Sequence, residues 1–320
     1  MTVAFRTSGP VDVAVVVVTY NSARDIGALV ESLRAETQDL SMRVVVADNA
    51  STDATLAELA RHPDLVTVPT GGNLGYSGGI NVAMRHVGDA DAVLILNPDL
   101  RVERGAVRTL RRSLAARSGA GIVAPRIRDA SGGTASSLHN EPRISRSLAD
   151  AVLGRFWQRR PAALSESVRD PAQYETARRM DWATGAALLV SRDAAATVGE
   201  WDERFFLYSE ETDYCRRVRR AGYEVWYEPT AIVHHSQGGS GSSGALDRLL
   251  AVNRIRYARK HHSAAWTAAY RGTVIMGEFL RSARAQHRAT LRTVASGRTW
   301  ASLPHSGAAA PQQPAAEGGA

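Results

Sequence analysis

The sequence contains a single cysteine, Cys215. One cysteine cannot form a disulfide within the chain, and it cannot supply the several thiolates of a cysteine-based zinc site. A chain without disulfides fits a reducing compartment, so we expect a cytoplasmic protein. The first ten residues are polar and do not have the pattern of a targeting peptide, which agrees with this expectation.

Long apolar runs are also missing. The longest strongly apolar run covers residues 13–18, whereas a helix needs about 20 apolar residues to cross a bilayer. Hydrophobic residues make up 44% and charged residues 22% of the 320 residues, a balance typical of globular proteins that bury a core. The sequence therefore predicts no membrane-spanning segment.

Positive charge is unevenly distributed along the chain. The formal net charge is +7, and the segment from residue 245 to the end has ten arginines and one lysine against three acidic residues. The rest of the chain is consequently close to neutral. This asymmetry indicates that the C-terminal segment contacts an anionic surface.

Short apolar runs alternate with helical patterns in the first hundred residues. The predicted strands cover residues 13–19, 43–47, 65–68 and 92–96, and helical patterns cover residues 26–33 and 80–87. The first strand is β-branched and apolar on both faces, as expected for a central parallel strand under helices. This rhythm predicts an α/β fold with a mostly parallel sheet flanked by helices.

Each predicted strand ends in a polar cluster. The clusters cover residues 20–22, 48–53, 71–79 and 97–99. The carboxyl ends of parallel strands meet at one edge of a sheet, and ligands bind at that edge in open α/β folds. We therefore expect a ligand site there.

The clusters differ in chemistry. Asp48 and Asp53 can accept hydrogen bonds from a nucleoside, although Asp53 alone is equally typical of a helix cap. Residues 71–79 are predicted to form a glycine-rich loop whose backbone can approach a phosphate or sugar closely, but the dinucleotide-binding pattern does not occur. Asp99 can bind a divalent metal that also contacts a diphosphate. Alternatively, residues 97–99 form only a turn, since Asn, Pro and Asp all favour turns.

The densest acidic cluster of the chain consists of Glu210, Glu211 and Asp213. Carboxylates this close raise one another's pKa, which prepares one of them to accept a proton near neutral pH, as a general base must. A charged first helical turn, capped by Ser209, is the structural alternative.

Six motifs follow one another in a fixed order. They are VVVTYN (16–21), VVVADNASTD (44–53), GGNLGYSGGIN (71–81), LNPD (96–99), WATGAALLVSRD (182–193) and WDERFFLYSEETDYCRR (201–217). Together they resemble the inverting glycosyltransferases of family 2, and within that family the bacterial rhamnosyltransferase branch. The resemblance covers about residues 13–240, and residues 126–180 match the family poorly.

The resemblance implies a GT-A fold in one domain over residues 11–240, whose first half binds a nucleotide-sugar donor. It assigns to the donor Thr19, Asn21, Asp48, Asp53, Asn73, Gly75, Gly79 and Asn97. It assigns Asp99 and His235 to a divalent metal, Mg²⁺ or Mn²⁺. Because Asn97 stands where many relatives have aspartate, one anionic ligand is left, and we expect weak metal binding or a partial dependence on metal.

In the second half, the resemblance makes Glu211 the general base, with Glu210 and Asp213 as the alternative bases. It places the acceptor beside Trp182, Gly185 and Ala186. The segment 231–240 resembles a tail motif in which His235 completes the metal shell while glycines and Ser240 wrap the diphosphate.

The implied reaction is the transfer of L-rhamnose from dTDP-L-rhamnose to a polyprenyl-diphosphate-linked N-acetylglucosamine, in the synthesis of a cell-wall linker or a polysaccharide. A galactofuranosyl or hexosyl donor is an alternative. A second alternative is a non-catalytic module that binds sugar nucleotides at a membrane.

The end of the chain divides into two predicted segments. Residues 241–301 have a basic amphipathic helical pattern that favours binding to an anionic membrane surface, here the inner face of the cell membrane. A helical flank packed on the domain is an alternative; a nucleic-acid arm would leave the apolar face unexplained, so we expect no nucleic-acid partner. Residues 302–320 have a composition typical of disorder. The apolar run 148–157 predicts either an interface helix or core packing.

Overall fold

A sheet of nine strands forms the centre of the computed structural model, which describes residues 3–154, 161–235 and 244–305. The strands within these residues are β1 (Val11–Thr19), β2 (Met42–Asp48), β3 (Val66–Pro69), β4 (Ala90–Leu96), β5 (Leu100–Val102), β6 (Ala120–Arg128), β7 (Leu138–His139), β8 (Arg178–Met180), β9 (Trp182–Ala183), β10 (Ala187–Ser191) and β11 (Glu224–His235). The order across the sheet is β3-β2-β1-β4-β10-β6-β11-β5, with β8 beside β11, and β7 pairs with β9 separately.

Helices cover both faces of the sheet. Those that the structure describes are α1 (Ile26–Arg34), α2 (Thr55–Leu59), α3 (Gly75–Met84), α4 (Ala106–Ala115), α5 (Ile144–Leu153), α6 (Arg192–Val198), α7 (Glu210–Arg220), α8 (Gly244–His261), α9 (Ala264–Leu280) and α10 (Ala285–Ser296). The helix predicted at residues 26–33 is confirmed as α1, and its four apolar residues are buried.

Strand β1 is the central strand of the predicted type. It pairs in parallel with β2 and β4. Val13, Val15 and Val17 belong to the core under one helical layer, and Val16 and Val18 belong to the core under the other. Only a strand that is apolar on both faces can be buried in this way, so the predicted α/β fold with a mostly parallel sheet is confirmed. The antiparallel exceptions include β10, which lies between β4 and β6.

Helix α3 begins five residues earlier than the predicted helix at residues 80–87. Its first turns contain glycines that permit close packing. A Cβ atom on Gly79 would lie 2.5 Å from Cγ1 of Val18. The glycines therefore let the helix lie directly on β1, and the stretch that suggested an open loop is mostly helical.

Helices α5, α8, α9 and α10 build a third core beside the sheet. Its buried side chains include Phe206, Leu249, Ile255, Tyr270 and Val294. Much of the apolar face predicted to meet a membrane is therefore packed within the protein, as in the alternative of a packed flank.

Among the described residues of this segment, three large apolar side chains stay exposed: Leu250, Phe279 and Leu280. No helix among the described residues combines the length and the apolar character needed to span a bilayer. At the far end, Leu303 is buried, although it lies in the stretch predicted to be disordered. Residues 306–320, Ser240 and residues 155–157, which also carried predictions, lie outside the described residues.

Candidate active site

The ends of β1 and β2 are joined by a hydrogen-bond network around Asp48. Thr19 Oγ1 donates to Asp48 Oδ1 at 2.9 Å, and Ser51 donates to the same carboxylate from Oγ at 2.6 Å and from its backbone N at 3.0 Å. Thr19 and Asp48 are almost fully buried. The network fixes the two strand ends against each other, as a rigid floor for a ligand requires.

Asn21 and Asp53 connect the loops above this floor. Asn21 Oδ1 accepts a hydrogen bond from the Thr52 backbone at 2.8 Å, and Asp53 accepts from the backbones of Ala23 and Thr55 at 3.1 and 3.0 Å. Thr55 is the first residue of α2 and Ala54 is its N-cap, so Asp53 bonds to the start of the helix without being its N-cap residue. The four residues predicted to bind the nucleoside thus lie together at one sheet edge.

The glycine-rich segment reaches across to the acidic cluster. Asn49 Nδ2 donates to the Gly75 carbonyl at 2.8 Å, and Asn73 Oδ1 accepts from the Gly75 backbone at 3.0 Å. Gly75 has a φ of 73°, and a Cβ atom there would collide with the backbone carbonyl of Phe206. Gly75 therefore allows this segment to contact the loop before α7. Gly79 instead lies against β1.

Asp99 and His235 form a pair next to β5 and β11. His235 Nε2 lies 3.1 Å from Asp99 Oδ1 and 3.0 Å from Oδ2. The pairing of β5 with β11 sets this geometry, since His235 is opposite Leu100. Asn97 donates its backbone N–H to the Ala186 carbonyl at 2.9 Å. Two residues predicted to bind metal are thus adjacent, and the structure links Asn97 to the predicted acceptor segment.

Glu210 and Glu211 start helix α7, and Ser209 occupies the N-cap position without a side-chain cap bond. Glu210 is only 4% exposed, and Glu211 is partly exposed. One buried oxygen of each carboxyl group, Oε2, has no hydrogen-bond partner among the described residues. Burial raises the pKa of both groups, that of Glu211 to about 7. A carboxylate with this pKa and a vacant oxygen has the properties of a general base.

Asp213 has a different environment from the other two acids. Its carboxylate forms ion pairs with Arg217 Nε at 2.8 Å, Lys260 Nζ at 2.7 Å and His261 Nε2 at 2.7 Å. Burial opposes its ionisation, but the bonds from His261 and Lys260 outweigh burial and hold its pKa below the usual value. Asp213 therefore anchors α7 to α8, and Glu210 and Glu211 are the acids left with free acceptor capacity. Lys260 is the one lysine of the sequence.

Tyr76 lies where the three parts of the site meet. Its hydroxyl donates to the Gly185 carbonyl at 3.0 Å. Burial raises the pKa of Tyr76 well above its usual value, and the charges of three carboxylates add to the shift; these carboxylates are those of Glu210, Glu211 and Asp99. Tyr76 and Glu211 both lie against Gly185, and Asn97, two residues before Asp99, bonds to Ala186, so the acidic pair and the candidate metal ligand both adjoin the predicted acceptor segment.

The predicted acceptor residues occupy three environments. Gly185 is beside the base, since a Cβ atom there would lie 3.4 Å from Glu211 Cβ. Trp182 stacks on His139 with ring centres 4.0 Å apart and donates its indole N–H to the Asn140 carbonyl at 3.0 Å. Ala186 is buried in the core. Gly185 is thus the residue of the three that lies directly next to a candidate base.

Sequence reasoning missed Asn253 of α8, which is fully buried. Its Nδ2 lies 2.6, 2.8 and 3.0 Å from the carbonyl oxygens of Phe205, Leu207 and Tyr208. These carbonyls belong to the loop that leads into α7. An amide nitrogen has two hydrogens, so this donor is fully used by the loop.

The same loop has an unusual backbone. Phe206, Tyr208 and Ser209 have φ values of 53°, 70° and 69°. Such a conformation costs a non-glycine residue about 1 kcal/mol or more, so neighbouring contacts must maintain it. We infer that Asn253 holds the loop in the conformation that presents Glu210 and Glu211.

Replacing Asn253 should therefore affect turnover more than donor binding. Asn253→Ala is expected to lower kcat by about 10²-fold, because a displacement of about 1 Å at the reacting groups has an effect of this size, with little change in the donor KM. The measurement is steady-state kinetics with a thermal unfolding curve. Leu250→Ala, on the exposed side of the same helix, is the matched control. A lower melting temperature with normal kcat would contradict the positioning role.

Comparison with known proteins identifies similar sequences and folds. The sequence pattern of "Glycosyl transferase family 2" matches residues 14–181. N-acetylglucosaminyl-diphospho-decaprenol L-rhamnosyltransferase of Mycobacterium tuberculosis (strain ATCC 25618 / H37Rv) is 33% identical over 283 residues, which are 84% of this chain and 91% of the relative. The low-salt glycan biosynthesis hexosyltransferase Agl10 of Haloferax volcanii is 28% identical over 229 residues, which are 71% of this chain and 67% of the relative.

A solved structure shows the same fold at low sequence identity. The mannosyltransferase PcManGT of Pyrobaculum calidifontis, in complex with GDP-Man and Mn²⁺, matches this chain with a TM-score of 0.53 and 17% identity. The match covers 94% of this chain and 85% of the other.

Proposed function

We propose, from the premise that the chain belongs to glycosyl transferase family 2, that it transfers one sugar from a nucleotide diphosphate donor to a polyprenyl-diphosphate-linked acceptor. Membership of this family makes the chain a glycosyltransferase, and its sheet has the GT-A arrangement of the solved relatives. The observation that carries the proposal is the carboxyl group of Glu211, one oxygen of which has no hydrogen-bond partner among the described residues, and which lies with Tyr76 against Gly185 of the predicted acceptor segment.

The proposed sugar is L-rhamnose, donated by dTDP-L-rhamnose, and the proposed acceptor sugar is N-acetylglucosamine. The name of the Mycobacterium tuberculosis relative, which aligns with most of both chains, supports this choice. The Haloferax volcanii relative is named as a hexosyltransferase. A hexosyl donor is therefore the second candidate.

In the proposed reaction, Glu211 removes the proton from an acceptor hydroxyl while that oxygen attacks the anomeric carbon of the donor sugar. The bond between this carbon and the donor diphosphate breaks on the opposite face. The proton ends on Glu211, and the electron pair of the broken bond leaves with the nucleoside diphosphate. One displacement of this kind inverts the anomeric centre.

Asp99 and His235 are the residues that would hold a divalent metal. The Asp99 carboxylate is a ligand that both Mn²⁺ and Mg²⁺ prefer, and the His235 imidazole 3.0 Å from it suits Mn²⁺ better than Mg²⁺, but the described residues contain no group of three metal-ligating side chains. The remaining ligands would be diphosphate oxygens and water, as is usual for Mg²⁺ with nucleotides. When bound, the metal would offset negative charge on the departing diphosphate.

The test is transfer itself. The protein is incubated with radiolabelled dTDP-L-rhamnose, Mg²⁺ or Mn²⁺ and a prenyl-diphosphate-linked N-acetylglucosamine, and the product is separated by chromatography. Parallel reactions use hexosyl and galactofuranosyl nucleotides. Radiolabelled disaccharide lipid is the expected result. Transfer from a hexosyl nucleotide alone would show that the donor sugar is a hexose and not rhamnose. The absence of both transfer and donor hydrolysis with every nucleotide sugar in the set would overturn the proposal.

We also propose that the protein binds peripherally to an anionic membrane, where its lipid-linked acceptor would be held. Phe279 and Leu280 at the end of α9 are 63% and 56% exposed, and Val152 of the neighbouring α5 is exposed as well. Arg284 and Arg288 follow and are exposed. Apolar side chains next to arginines suit the boundary of an anionic bilayer, where each basic residue contributes about 1 kcal/mol.

Vesicle sedimentation tests this surface. Phe279→Ser combined with Leu280→Ser is expected to lower the fraction bound to vesicles of phosphatidylglycerol and phosphatidylcholine several-fold, because apolar area at the membrane is lost. Leu56→Ser, which changes an exposed leucine of α2, is the control. Equal sedimentation of both variants and the original protein would contradict the proposed surface.

A further inference from the structure

A cavity of about 600 Å³ lies at the other end of helix α7 from the acidic pair. Its walls are the start of α5, the later turns of α7 and the junction of α8 with α9. Four arginines line it: Arg143, Arg216, Arg219 and Arg220. We call it the arginine cavity. Glu141 is the acidic residue in its lining.

Two of the arginines are fixed in position. Glu141 forms ion pairs with Arg216 and Arg219, and it also accepts a hydrogen bond from Tyr257. Arg219 reaches Asp181 at 3.5 Å as well. These contacts hold two guanidinium groups rigidly against the wall, and their charge is largely matched by that of the two acids.

The other two arginines have no such partner within the part of the chain that the structure describes. Among the residues that the structure describes, neither Arg143 nor Arg220 forms an ion pair, and both are exposed. Burial lowers the pKa of His262, another lining residue, and positive charges that include Arg216 and Arg220 add to the shift. The arginine cavity therefore has an excess of positive charge, which an anionic ligand would offset.

The start of α5 adds to this field. Arg143 is its N-cap residue and makes no side-chain cap bond, and Ile144 and Ser145 of the first turn line the cavity. The positive end of a ten-residue helix thus faces the same space as the unpaired guanidinium groups. Guanidinium groups bind phosphate oxygens in pairs, so a phosphate is the anion that fits best.

The position of the arginine cavity relative to Glu211 indicates which phosphate it would take. Arg216 and Arg220 follow Glu211 by five and nine positions in α7, which is about 8 and 14 Å along the helix axis and about 140° and 180° around it, whereas Arg219 lies about 80° around it. A sugar ring with a diphosphate on its anomeric carbon spans the axial distance, and it would reach the cavity around the side of the helix that carries Arg219.

The acceptor segment connects the two places. Gly185 lies beside Glu211, and the Trp182 indole donates to the carbonyl of Asn140, the residue before Glu141. A sugar whose hydroxyl meets Glu211 would therefore lie along this segment, with its anomeric substituent directed toward the arginines.

We propose that the arginine cavity binds the diphosphate group that links the acceptor sugar to its lipid; this rests on the proposed function. The donor diphosphate belongs at Asp99 and His235, at the edge of the sheet. The enzyme thus has separate sites for two diphosphates, and the one at α7 selects acceptors that are diphosphate-linked. The Trp266 indole in the lining is held by stacking on His262 and Tyr270, with ring centres 3.7 and 5.0 Å apart.

The first experiment compares two acceptors in the full-length protein: a short-chain prenyl diphospho-N-acetylglucosamine, and a neutral N-acetylglucosamine glycoside of the same prenyl chain. The Arg143→Ala, Arg220→Ala double variant is expected to lower the ratio of their kcat/KM values by about tenfold or more, since charge-assisted contacts are lost with the diphosphate alone. Arg143→Lys with Arg220→Lys should recover part of the ratio. The control is Arg112→Ala, an exposed arginine of α4 outside the cavity lining. An unchanged ratio in the double alanine variant would overturn the proposal.

The second experiment measures binding without a donor, so that it is independent of transfer. The short-chain diphospho compound and inorganic pyrophosphate are each titrated calorimetrically into the original protein and the double variant. Weaker binding of the diphospho compound to the variant supports the arginine cavity as a binding site even if no transfer is detected. In that case only the proposed function would be contradicted. Tight binding of pyrophosphate but not of the diphospho compound, or equal binding by both proteins, contradicts it.

Discussion

Glu211→Gln is expected to lower kcat for sugar transfer by about 10²- to 10⁴-fold, the range contributed by a general base. Glutamine keeps the shape of the side chain but cannot accept the proton of the acceptor hydroxyl. Donor binding should persist, because the network around Asp48 and the pair of Asp99 and His235 do not involve Glu211. Stopped-time transfer assays and donor titration measure the two properties separately.

Glu210→Gln is the matched comparison. Burial, and next the charge of Glu211, raise the pKa of Glu210 well above its usual value, which favours its neutral form. A glutamine imitates that neutral state, and the loss of kcat should be much smaller than in Glu211→Gln. If Glu210→Gln showed the larger loss, the base would be Glu210 instead.

The pH profile gives an independent readout of the same group. Because burial raises the pKa of Glu211 to about 7, transfer should be fastest above this pH, where the carboxylate is ionised. Below it, kcat/KM should fall about tenfold per pH unit. This acidic limb should disappear from the residual activity of Glu211→Gln. A profile that stays flat down to pH 5 would contradict the assignment.

Asp99→Asn is the second change with a large expected effect. It removes the one anionic side chain of the pair that would hold the metal, so less charge on the departing diphosphate is offset, and kcat/KM should fall by about 10²-fold or more. Initial rates measured over a range of Mn²⁺ and Mg²⁺ concentrations test this, and half-saturation should move to higher metal concentration.

The neighbouring strand position offers a close control. His234 and Glu103 form a similar contact at 2.7 Å next to the Asp99 and His235 pair, but both are well exposed. Glu103→Gln should leave the rate and its metal dependence unchanged. Equal behaviour of Asp99→Asn and Glu103→Gln would show that Asp99 does not act on the diphosphate.

Much of the fold was predictable because its signals are local. The β-branched run of β1 and the apolar spacing of α1 are properties of neighbouring residues, and the polar residues after each strand follow from the way parallel strands end together. The order of the six motifs along the chain carried the resemblance to the family. Local patterns did not predict the start of α3. The glycines there suggested a loop, but in the structure they let the helix pack closely on Val18.

The roles that could not be predicted depend on contacts between distant positions. Asn253 reaches carbonyls 45 to 48 residues earlier in the chain, and no pattern around it indicates this. Asp213 belongs to the same acidic run as Glu211, but its charge is paired with Lys260 and His261 of α8. These partners are distant in sequence, so the pairing is visible only in the structure. Basic amphipathic helices have one sequence pattern whether their apolar face meets a lipid or the protein itself.

The burial of Cys215 has a practical consequence for spectroscopy. Its side chain is fully buried in α7, and burial raises the pKa of its thiol to about 12, so almost no reactive thiolate exists at neutral pH. A maleimide dye should therefore react with a cysteine introduced at an exposed site such as Arg112→Cys and leave the native thiol unmodified. Fluorophores can thus be attached at chosen positions without first removing a cysteine from the core.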